Sequence, residues 1–77
     1  METNDNTVTL EKKESIAIAI MRCMLTTYAN EKHLSFEEAM LTFAQSKTYS
    51  DLFDFDTGIW KEGPTYLRSL YEEELKV

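Results

Sequence analysis

The chain has 77 residues, 43% of them hydrophobic and 29% charged, with a formal net charge of −6. That length gives one small domain, near the lower limit at which a hydrophobic core alone offsets chain entropy, and it leaves little room for an enclosed active site. The acidity argues against nucleic acid as a partner, because phosphate binding rests on Lys and Arg and no basic stripe is present.

The charge is uneven: residues 51–77 carry seven acids against three bases, a net of −4. The single cysteine, Cys23, rules out an internal disulfide and leaves no Cys-x-x-Cys pair for zinc. Residues 1–15 lack the basic start and apolar run of a secretory signal. The longest apolar run, residues 16–21, is six residues long, against the roughly 20 that span a bilayer. A cytoplasmic protein with no membrane partner is expected.

Residues 1–8 are polar and turn-rich and read as a flexible N-terminal arm, ahead of a single helical domain over residues 9–77. From residue 10 to 30, Ile16, Ile20, Cys23, Met24 and Thr27 recur at helical spacing on one side, with Met21, Leu25 and Tyr28 on another. A helix apolar over much of its girth, roughly 30 Å long, is expected to form the centre of the fold.

Residues 30–34 form a polar break, after which Ser35 and Glu38 make a capping box for a second helix. Ala39, Met40, Phe43 and Ala44, with Phe36 and Leu34 before them, give that helix its apolar face, ending near Gln45. Thr48 with Asp51 is a weaker start signal, and Tyr49, Leu52 and Phe53 suit a short helix at about residues 49–54. Asp56-Thr57-Gly58 reads as a turn, followed by inward-pointing Ile59 and Trp60. Gly63-Pro64 opens a last helix to about residue 76, on which Tyr66, Leu67, Leu70, Tyr71 and Leu75 recur at helical spacing and Glu72 pairs with Lys76.

No stretch carries a specific catalytic, metal or cofactor signature. A calcium loop begun at Asp54 needs an oxygen at its fifth position and glycine at its sixth, where Gly58 and Ile59 stand, and Thr65 replaces its closing glutamate. The phospho-aspartate motif Asp-x-Asp-x-Thr fails likewise, with Gly58 in place of its threonine. The aspartates are better explained as turn formers. His33 has no Cys or second His nearby and reads as a solvated loop residue. Cys23, amid an apolar helix, is expected to be a buried small hydrophobe rather than a nucleophile.

The best functional candidates lie between residues 48 and 66, where five aromatics, three aspartates, both glycines and the only proline fall together. Trp and Tyr are enriched at binding hot spots, so Tyr49, Phe55, Trp60 and Tyr66 are candidate protein-binding residues, with Trp60 and Tyr49 expected to stay partly exposed. Glu72 and Glu73 join them, because acids near a helix C-terminus oppose the macrodipole and invite a partner. The same aromatics also suit the core of so small a domain, and the sequence leaves both roles open.

The series Leu34, Ser35, Glu38, Ala39, Tyr49, Leu52, Trp60, Glu62, Gly63 and Tyr66, within residues 14–75, resembles small uncharacterised bacterial helical proteins of unknown function. That resemblance implies a partner role, regulatory or immunity-like, and carries over no site residue. The expectation is an all-α domain, a three- to four-helix bundle with a long central first helix. It is read as a cytosolic protein-interaction module without catalysis or cofactor, binding another protein and dimerising through its first helix or aromatic segment. The alternative is a small-ligand binder or enzyme with Asp54, Asp56 and Glu62 as polar anchors.

Overall fold

The computed structural model describes residues 9–76, so the expected arm at residues 1–8 lies outside the described residues. Helix α1 (Leu10–Lys32) starts at Thr9, whose hydroxyl accepts the Lys12 amide at 3.2 Å. It runs two residues beyond expectation, because polar Asn30, Glu31 and Lys32 contain no helix breaker and extend the last turn. His33 ends it in the left-handed conformation, φ 59°, and the Leu34 amide reaches back to the Ala29 carbonyl at 2.9 Å. This paired closure satisfies carbonyls that the helix itself cannot.

Helix α2 (Phe36–Ala44) carries the expected capping box. Ser35 Oγ accepts the Glu38 amide at 3.0 Å, and Glu38 Oε1 accepts the Ser35 amide at 2.9 Å. Helix α3 (Lys47–Leu52) is short, as expected, but begins earlier. Its side-chain cap is Ser46, which accepts the Tyr49 amide at 3.0 Å, in place of Thr48. Two 3-10 turns follow, Phe55–Thr57 and Ile59–Lys61, joined by Gly58 at φ 77°. Asp54 caps the first of them by accepting the Asp56 amide at 3.2 Å. Helix α4 (Pro64–Leu75) opens on proline, with Gly63 at φ 98° before it.

Four α-helices and no strand occur among the described residues. α1 packs against α2, α4 and the second 3-10 turn, while α3 packs against α2 and α4. The core draws Ala17, Met21, Met24, Leu25 and Ala29 from α1, Ala39 and Phe43 from α2, and Leu52 from α3. Ile59, Trp60, Leu67 and Tyr71 complete it. No described helix is long and apolar enough to cross a membrane.

Two expectations about burial are corrected. Cys23 is exposed, because each residue turns 100° around a helix and α2 and α4 cover the meridian of Met21, Met24 and Leu25 rather than its neighbour. Leu34 and Phe36, read as part of the α2 apolar face, are 41% and 39% exposed, since they precede the stretch that meets α1.

Candidate protein-docking groove between α3 and α4

Seven of the nine aromatic rings form one continuous chain of contacts: Tyr28, Tyr71, Phe43, Tyr49, Phe53, Phe55 and Trp60, with centroids 4.9–6.4 Å apart. Most pairs are edge-on or tilted, the arrangement favoured by ring quadrupoles. Trp60 is only 4% exposed, and its indole N–H donates to the Phe55 carbonyl at 3.1 Å. The expectation of a partly exposed Trp60 is therefore corrected. Lys13 and Lys61 lie over its ring at 5.6 and 5.7 Å, so cationic side chains of this same chain cover its outer face. Tyr49 and Phe55 are half-buried within the ring chain.

Tyr66 is different: it is 46% exposed and takes no part in the ring chain. It stands with Leu70 and Glu73 on one line of α4, at i, i+4 and i+7. That line faces a hollow of about 790 Å³ between α3 and α4, which Ile59, Lys47, Thr48, Asp51, Thr57 and Glu74 also line. The floor is apolar and the rim charged. The hollow is open along its length, which suits a side-chain-bearing segment better than a small molecule, since ligand sites enclose most of their ligand.

The groove walls are fastened by Glu74. Its carboxylate accepts the backbone amides of Lys47 and Thr48, each at 2.8 Å, and the Thr48 hydroxyl at 2.6 Å. A residue from α4 thus satisfies the open amide end of α3, where the helix dipole favours negative charge. These bonds, the Thr48 hydroxyl foremost, hold the Glu74 carboxyl below the usual carboxylate range. On the rim, Lys47 pairs with Asp51 at 2.7 Å, which raises the lysine above its ordinary value. Lys76 pairs with Glu73 at 3.2 Å rather than with Glu72.

Glu72 is engaged by Arg68, whose guanidinium also reaches Glu31 of α1 and stacks 5.4 Å from the Tyr28 ring centre. Of the six candidate residues, Tyr66 and Glu73 come together at the groove. Tyr49, Phe55 and Trp60 belong to the ring chain, and Glu72 to the α1–α4 clamp. Ile59, Leu70 and Glu74 were missed as groove residues, although the i, i+4, i+7 line through Tyr66 and Leu70 was visible in the sequence.

Asp54, Asp56 and Glu62 are all exposed, and none lines the groove. Asp54 shapes its own turn. Among the described residues no group of three His, Cys, Asp or Glu is placed to hold a metal ion. A second hollow of about 620 Å³ lies at the α1–α2 corner, with Arg22 as its one charged residue. No protein-family model, curated protein or solved structure matches this chain.

Proposed function

We propose that this protein is a small interaction module of the cytosol that works by binding another protein through the α3–α4 groove, as a regulatory or immunity-like partner rather than a catalyst. One observation carries the reading. Tyr66 presents nearly half its surface beside Leu70 and Ile59, in a groove whose walls are fixed by Glu74 before any partner arrives. Preorganised walls reduce the ordering cost of association, and an aromatic on an apolar floor is the usual composition of a hot spot.

Capture from the native host, with the wild-type chain and its Tyr66→Ala variant side by side, tests this. Removing a central aromatic anchor costs about 2 kcal/mol or more of binding, so a true partner is retained by the wild type and lost by the variant. Leu41→Ala serves as control, since Leu41 is 66% exposed and remote from the groove lining. Partners retained equally by all three proteins would exclude the groove.

A second reading has its own observation. Ile16 and Ile18, on the first half of α1, are 41% and 42% exposed. The two lie on opposite flanks of buried Ala17, so self-association into a dimer would use one of these flanks of α1.

A further inference from the structure

We infer that the occupant of the α3–α4 groove is a basic amphipathic helix of a partner protein. Its apolar face lies over Ile59, Tyr66 and Leu70, and its lysines or arginines meet Asp51 and Glu73. This rests on the groove being a protein-binding surface and adds the chemistry of what binds there.

Charge complementarity selects the occupant. Asp51 and Glu73 border the groove with outward carboxylates against one lining ammonium, Lys47, while Glu74 is taken up by the α3 amides. Beyond the rim, residues 51–77 hold a net −4. The internal cations are weak competitors: the Lys47 and Lys76 side chains are 79% and 72% exposed, and exposed pairs contribute little that an incoming cation cannot replace. An acidic segment would meet like charge at Asp51 and Glu73. A purely apolar one would leave the rim carboxylates beside a dehydrated edge with no counter-charge.

The dimensions fit a helix. The α4 side of the groove runs from Tyr66 to Glu74, roughly 12 Å, about two helical turns. A helix laid there presents apolar side chains at i, i+3 and i+4 to the floor and its flanking residues to the rim.

The test titrates the full chain with two synthetic helical peptides of about four turns. Both share one Leu/Phe face; one carries Lys on its polar flanks and the other Glu. The Lys peptide is expected to bind at least about tenfold tighter, with NMR shifts at Ile59, Tyr66 and Leu70 and affinity that falls with salt. Asp51→Asn combined with Glu73→Gln should weaken the Lys peptide about threefold to tenfold and flatten that salt dependence. Should the double variant not fold, Glu73→Lys alone, at a side chain 72% exposed, gives the same readout. Equal binding of both peptides at the groove, or a charge variant that binds unchanged, overturns the basic partner and leaves the groove reading standing. Shifts confined to other surfaces, or no binding of either peptide, overturn the basic partner too; the Tyr66→Ala capture then decides the groove separately.

Discussion

Gly63 stands at φ 98° and ψ 170°, in a region essentially reserved for glycine, although a methyl group there would meet nothing within 4 Å. Backbone strain alone decides the outcome of Gly63→Ala, at about 1–3 kcal/mol. Gly58, at φ 77° and ψ 0°, is ordinary left-handed backbone, so Gly58→Ala should cost about 1 kcal/mol and Gly58→Asn less. Urea denaturation of the three variants measures this, and a Gly63→Ala protein as stable as wild type contradicts it. Single residues with strong local chemistry were legible in the sequence: Gly58 after Asp56-Thr57 announced its turn, and Pro64 its helix start. Cys23 and Trp60 were not, because a hydrophobic side chain at helical or turn spacing does not reveal which neighbour will cover it.

At the scale of elements, α3 has only six residues, too few to persist alone, and depends on what holds its amide end. Glu74→Gln should destabilise the protein by about 1–2 kcal/mol, by weakening charge-assisted bonds at that helix start. The pH dependence has a definite sign. The folded Glu74 carboxyl lies below its ordinary value, so its contribution is complete above the unfolded pKa of about 4.3. It is lost as pH falls through the lower folded value. Acid unfolding followed by circular dichroism should therefore set in at higher pH for wild type than its stability difference from Glu74→Gln at pH 7 would indicate, since that difference narrows in acid. A constant difference between pH 7 and pH 3 sinks this account.

Arg68 makes the complementary join between α1 and α4. It bonds Glu31 at 2.6 Å and Glu72 at 3.0 Å. The arginine lowers the Glu31 carboxyl, and the two glutamates raise the guanidinium still further above its ordinary value. Arg68→Lys keeps the charge but loses the fork that spans two carboxylates and stacks on Tyr28, so it should cost nearly as much as Arg68→Ala, about 1 kcal/mol. Thermal melts of both variants check this; a fully stable Lys variant refutes it. The capping box of Ser35 and Glu38 was readable because both partners lie three residues apart. Glu74 and Thr48 lie 26 residues apart, and no local pattern announces such a bond. For the same reason the expected Glu72–Lys76 pair gave way, once Arg68 offered Glu72 a less exposed partner.

Across the whole molecule, the all-helical class and the long first helix were legible because periodicity and capping agree over many residues. The groove was not, since its floor comes from a turn and one face of α4 that meet only on folding. The extents of 47 × 23 × 18 Å show an elongated body, and a first helix of 23 residues, roughly 35 Å, exceeds both short extents and so runs along the long one. Its first half keeps Ile16 and Ile18 uncovered. Sedimentation at micromolar concentration should show twice the 9.0 kDa chain mass, and Ile16→Glu with Ile18→Glu should return it to monomer. A wild-type chain of single mass over a wide concentration range ends the dimer reading.

The unbroken row of rings gives the molecule an optical property of its own. Tyr28, Tyr71 and Tyr49 lie along a path that ends at the sole indole, Trp60. Light absorbed by these phenols passes through space to that indole while the fold holds them near it, so the native protein emits chiefly as tryptophan when excited at tyrosine wavelengths. Unfolding separates donors from acceptor and brings tyrosine emission back, a label-free gauge of the interior that works at any point on a melting curve.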